Sequence, residues 1–129
     1  MSAELSEDYR VEVSAESFYV EAQSDPAKDQ YVFAYTMTVH NAGRVAARLL
    51  SRHWIITDAD GQVQEVQGEG VVGEQPHLKP GERYRYTSGT MLQTPVGSMR
   101  GSYAMKADDG HRFQAEIPMF TLALPGVLH

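Results

Sequence analysis

The stretch Gly68-Glu69-Gly70-Val71-Val72-Gly73 is where residue types and spacing come closest to a recognised chemistry. It fits G-x-G-x-x-G, whose glycines let a backbone wrap a dinucleotide pyrophosphate at the start of a helix. That chemistry needs a helix N-terminus facing the phosphates within a βαβ unit. Here Glu74-Gln75-Pro76 and then Pro80-Gly81 follow, which leaves no room for such a helix, and Glu69 and Glu74 would repel a pyrophosphate. The spacing predicts instead that the glycines permit positive φ in a tight, bulged connection between strands, with Val71 and Val72 tucked into the core. A second reading stands beside it. Successive amides of a glycine-rich turn form a concave nest for an anion, with Arg52, His53, His77 or Lys79 adding positive charge. Gly68, Gly70, Val71, Val72, Gly73 and Glu74 are thus the candidate binding residues.

Other reactive side chains form no such pattern. The histidines are His40, His53, His77, His111 and His129; none stands at H-x-x-x-H spacing or beside a carboxylate cluster, so they read as surface or half-buried residues without a metal role. The chain has no cysteine, which removes thiolate nucleophiles, disulfides and cysteine-held zinc or iron–sulfur clusters. No serine sits in a G-x-S-x-G elbow, and Ser88-Gly89 reads as a strand running into a turn. No catalytic residue, metal ligand or cofactor site is assigned, and a non-enzymatic role is expected.

The elements that must carry the glycine segment are strands. Period-two alternation, the mark of a half-buried strand, recurs in Tyr9, Val11 and Val13, in Tyr31 through Val39, in Tyr84 and Tyr86, in Met99, Tyr103 and Met105, and in Phe113, Ala115 and Ile117. Turn residues separate the runs: Ser24-Asp25-Pro26, Asn41-Ala42-Gly43, Asp60-Gly61, Pro80-Gly81, Pro95-Val96-Gly97 and Asp109-Gly110. The two Asp-Gly pairs suit the positive φ angles of tight hairpin turns. Ala46, Leu49, Leu50, His53 and Trp54 follow a helical spacing, but the β-branched Ile55, Ile56 and Thr57 and the preceding turn favour a long strand over this segment. The whole reads as an all-β sandwich of the fibronectin type III or immunoglobulin kind, with seven to eight antiparallel strands and Trp54 as a core anchor.

Composition limits partners. With 129 residues the chain fits one domain, residues 9–129, preceded by a polar tail over residues 1–8 that is expected to be disordered. The formal charge is −6 and the 11 Lys and Arg residues are scattered, which argues against nucleic acid. The acidic N-terminus is unlike a secretory signal and no run is long and apolar enough to span a membrane, so a cytoplasmic protein without membrane attachment is expected.

Several blocks together resemble the ApaG domain family: Tyr31-Val32-Phe33-Ala34-Tyr35, His53-Trp54-Ile55-Ile56-Thr57-Asp58, Gln67 through Pro76, Tyr86-Thr87-Ser88-Gly89, Thr94 through Met99 and Ile117-Pro118-Met119-Phe120. The resemblance runs from about Tyr9 to the C-terminus. It implies a fibronectin type III-like sandwich but no established reaction. It also implies an association with cobalt resistance and magnesium efflux, with genes near a diadenosine tetraphosphate hydrolase, and a protein-binding role in eukaryotic F-box and DNA-polymerase-delta-interacting relatives. The expected function is a module that binds an unidentified protein partner through the glycine segment. The alternative is weak binding of pyrophosphate, a dinucleoside polyphosphate or a divalent cation by the same loop.

Overall fold

Tyr31, Phe33, Tyr35, Met37 and Val39 put alternate side chains on one face, and that face becomes the middle of a sheet. In a computed structural model, which describes residues 7–126, eight strands follow in chain order: β1 (Val11–Tyr19), β2 (Tyr31–Asn41), β3 (Ala47–Asp58), β4 (Val63–Glu69), β5 (His77–Leu78), β6 (Arg83–Leu92), β7 (Val96–Ala107) and β8 (Arg112–Ala123). They form two antiparallel sheets, one ordered β1-β2-β6 and the other β4-β3-β7-β8 with β5 paired to the start of β3. The all-β sandwich read from the alternation is the fold. Two short 3₁₀ turns, Glu21–Gln23 and Pro26–Lys28, link β1 to β2.

Between the sheets, Phe33, Tyr35, Met37 and Val39 of β2 meet Leu49, Trp54 and Ile56 of β3, Met99, Tyr103 and Met105 of β7, and Ile117 and Leu122 of β8. Trp54 is 2% exposed and packs edge-on against Tyr103 and Phe120, as expected of a core anchor. Tyr9 stacks on His111 at 4.0 Å and its hydroxyl donates to Asp109 Oδ2 at 2.6 Å, which fastens the chain's entry to the β7–β8 hairpin. Of the tail expected over residues 1–8, residues 1–6 lie outside the described part; the Asp8 carbonyl accepts hydrogen bonds from the amides of Arg44 and Val45.

Two bulges set which side chains face inward. In β3 the pairing with β7 slips between Leu49 and Ser51, so Leu50 is an extra residue and the alternation changes phase. Ala47 and Leu49 point inward before it; Arg52, Trp54 and Ile56 take the inner face after it. Of the helically spaced residues in β3, only Leu49 and Trp54 face inward, so that spacing does not mark a buried face. In β8 a second slip opposite Met99 and Gly101 leaves Pro118 and Met119 exposed and returns Phe120 to the core side. Proline, with no N–H to give a ladder, is tolerated there.

The Asp-Gly hairpins differ in detail from the expectation. In both, only the glycine has positive φ (Gly61 81°, Gly110 92°), and the Gly61 and Gly110 amides donate to the carbonyls of Asp58 and Ala107. These are three-residue hairpins in which a type I turn ends in a left-handed glycine. Ser88 and Gly89 lie inside β6, not at a turn.

Candidate functional site

β4 carries Gly68 and Glu69, and the chain then leaves the sheet at Gly70. Val71 and Glu74 exchange both backbone hydrogen bonds, at 2.8 and 2.9 Å, closing a two-residue turn around Val72 and Gly73. Both central residues have positive φ, 43° and 82°, which is a type I′ turn. Such a turn favours Asn-Gly; here a β-branched valine occupies the first central position, a rare and strained choice. Val71 is fully buried, whereas Val72 is 54% exposed at the turn tip. The expectation that both valines enter the core is thus corrected for Val72, because a tight turn points its central side chains away from the strand it interrupts.

The three glycines serve different ends. Gly70 has φ 64° and the Glu74 carbonyl lies where a side chain would go; Gly73 supplies positive φ alone; Gly68 lies flat under the Arg52 guanidinium, whose Nη1 would stand 2.7 Å from an added Cβ. The bulge anchors the loop, since the Leu50 carbonyl accepts the Gly70 amide at 2.8 Å and Gln75 Nε2 at 2.9 Å. Arg48 Nη1 donates to the Gln75 carbonyl at 2.7 Å and fixes the loop's exit.

A dinucleotide cradle or an anion nest needs loop amides free and converging. The Gly70, Val71 and Glu74 amides are committed within the protein, and Val72 and Gly73 are both left-handed instead of alternating in hand as a nest does. No helix follows: Glu74-Gln75-Pro76 leads into β5. Of the basic groups expected near the loop, only Arg52 reaches it. Its Nη1 donates to the carbonyls of Glu69 and Gly70, both at 3.0 Å. His53 alternates to the outward face, 3.4 Å from Glu65; His77 bonds Asp108 at 2.9 Å; Lys79 is exposed beyond β5. His40 faces Glu12 and His111 stacks on Tyr9, so the described histidines are dispersed, and His129 lies outside the described residues.

Beneath the loop, where edge strands β4 and β6 face each other across the sandwich, lies a cleft of about 240 Å³ lined by Arg52, Tyr35, Trp54, Glu69, Tyr86, Ser88 and the Val71–Gly73 turn. The Tyr86 and Tyr103 hydroxyls are 2.6 Å apart. Burial pushes the Tyr86 pKa up to about 12, partly offset by the Tyr103 hydrogen bond; burial, then the Tyr86 charge, raises that of Tyr103. The Trp54 indole N–H is buried without a hydrogen-bond partner. The alternation in the sequence marks these side chains as core. Only the phase change at Leu50, which the sequence does not announce, brings Arg52 among them.

The ApaG domain family model matches residues 21–107, from the first 3₁₀ turn to the end of β7. Protein ApaG of Azoarcus sp. strain BH72 is 66% identical over 124 residues, 96% of this chain and 98% of its own. Protein ApaG of Thiobacillus denitrificans is 62% identical over 121 residues, covering 94% and 95%. A crystal structure described as an ApaA protein from Bordetella pertussis superposes with a TM-score of 0.91 at 51% identity, over 93% of this chain and 98% of that one. A family model that covers β2 through β7 and relatives alike along nearly their full length agree with the resemblance carried by the several sequence blocks: the chain belongs to the ApaG family.

Proposed function

We propose that this domain is a non-enzymatic module, acting in the cytoplasm, that binds a protein partner through the hairpin at Val71–Glu74. The observation that supports it is Val72. A β-branched residue in the left-handed region costs about 1–2 kcal/mol, and Val72 recovers little of that by burial, being 54% exposed. Strain kept at an exposed loop tip is characteristic of contact sites. The hairpin is also rigidly mounted, through Leu50, Arg52 and Gln75, so an apolar knob is presented without the ordering cost of a mobile loop. We further propose that the cobalt and magnesium association of the family acts through that partner. Binding of pyrophosphate, a dinucleoside polyphosphate or a divalent cation by the loop amides has weaker support, because most of those amides already have acceptors.

The test is affinity capture from the source cytoplasm with the native chain and Val72→Asn, which suits the turn but removes the knob. A protein held by the native chain and lost by the variant is the expected result. Equal capture by both, or none by either, overturns the proposal. Gly70→Asp is a poor control, since its side chain would meet the Glu74 carbonyl in a left-handed backbone and open the hairpin.

A further inference from the structure

We infer that the cleft between β4 and β6 is an oxyanion site, built from the side chains of Arg52, Tyr86, Ser88 and Tyr35 and not from the glycine-loop amides. Arg52 is aimed inward by the Leu50 bulge and clamped by two carbonyls through Nη1. Its Nε and Nη2 hydrogens have no acceptor among the described residues, and a guanidinium fork matches two oxygens of one carboxylate or phosphate. Tyr103 is fully buried, so in the tyrosine pair it is the donor, which turns the Tyr86 hydrogen toward the cleft that Tyr86 lines. Ser88 alternates inward two residues on from Tyr86, and the Tyr35 ring lies beside them.

The side chains lining this cleft are therefore mostly hydrogen-bond donors around one fixed cation. Glu69 alternates to the outward face, opposite in sense to Gly68, and enters the cleft's architecture through its carbonyl on Arg52. Trp54 lines the same space, so its indole reports on what enters the cleft. Size limits the ligand. Clefts that hold drug-sized molecules run to roughly 300–1,000 Å³, so about 240 Å³ admits one carboxylate or phosphate group and not a whole dinucleotide. That oxyanion would come either from a phosphorylated small molecule or from a carboxylate on a peptide.

The probes are inorganic phosphate and acetate, titrated at constant ionic strength against chloride, with the single Trp54 indole resonance and the Ser88 amide followed by ¹H–¹⁵N NMR. Saturable shifts of both are expected in the millimolar range. Tighter phosphate assigns the natural group to a phosphorylated small molecule; tighter or equal acetate assigns it to a peptide carboxylate. Tyr35→Phe and Ser88→Ala, which keep the packing, each weaken the affinity about tenfold, as loss of a hydrogen bond to a charged group does. Arg52→Gln abolishes it, and the two milder variants keep the test decisive if that change opens the loop. Shifts that never saturate, or an affinity unmoved by both mild variants, overturn the inference.

Discussion

At the scale of single residues, Val72 and the Tyr86–Tyr103 pair carry opposite lessons about stability. Val72 sits where asparagine or glycine would fit, so Val72→Asn, the variant that tests partner binding, is also expected to raise stability by about 1 kcal/mol in urea denaturation. The tyrosine pair is the reverse case, two buried hydroxyls joined by one hydrogen bond that gives Tyr103 its partner. Tyr86→Phe strands the Tyr103 hydroxyl in the core and is expected to cost about 2 kcal/mol, whereas Tyr86→Phe with Tyr103→Phe costs less than the two single changes added, by about 1 kcal/mol. Strict additivity would mean that the hydrogen bond contributes nothing. The pair also fixes the alkaline limit. The folded Tyr86 pKa, about 12, lies above the ordinary 10, so the fold favours the neutral phenol. Its contribution is complete below pH 10, where both states are protonated. It is lost as pH rises from 10 through 12, at about 1.4 kcal/mol per pH unit, because only the unfolded tyrosine ionises there. Denaturation midpoints that fall above pH 10 in the native chain, and less steeply in the double phenylalanine variant, check the sign.

At the scale of elements, what the sequence made legible was whatever obeys a fixed period. Alternation over Tyr31 through Val39 marks most of β2, the Asp-Gly pairs mark both hairpins, and the β-branched residues after Trp54 favour a strand for β3 against a competing helical spacing. What could not be read was phase. A bulge such as Leu50 needs no special residue type, yet it moves Arg52 and Trp54 to the inner face and sends Ser51 and His53 outward. The type I′ turn at Val72-Gly73 was hidden for a related reason, since its first central residue lacks the Asn or Asp that signals such turns. The sequence marks Asn41 as a turn residue only, and the structure gives it more. It is 1% exposed; its Nδ2 donates to the carbonyls of Val45 and Leu78 at 3.0 and 2.9 Å, and its Oδ1 accepts the Gly43 amide at 2.9 Å. One amide thereby joins the β2–β3 corner to β5. Asn41→Leu keeps the approximate volume but leaves three backbone groups unpaired, and about 3 kcal/mol of stability is expected to go with them. A urea midpoint within error of the native one would show that the corner closes without this side chain.

At the scale of the molecule, the sandwich is asymmetric about its core. One side is closed where β1 meets β8, with Ser17 Oγ donating to the Thr121 carbonyl at 2.8 Å. The other side is open between β4 and β6, and three exposed apolar side chains, Val63, Met91 and Val72, gather along it. Both proposed contacts, the hairpin knob and the oxyanion cleft, lie on this open side. The two proposed contacts and the exposed strand edges thus share one border, where Glu65 on β4 and Arg83 and Arg85 on β6 supply the charges that discourage edge pairing between copies. The closed side sets how the chain must fold. Ser17 and Thr121 stand near opposite ends of the sequence, and β2 pairs with β6 across the whole of β3, β4 and β5. Such pairing incurs its chain-closure entropy before contacts reward it, which puts folding in the millisecond-to-second range typical of all-β domains. Trp54, the single tryptophan, touches side chains from both sheets and reports core assembly without competing signals. Stopped-flow refolding followed by Trp54 emission and by far-ultraviolet circular dichroism is expected to give one shared exponential in that range. Trp54 burial within microseconds, ahead of the sheet signal, would show instead that the core collapses before the long-range strands pair.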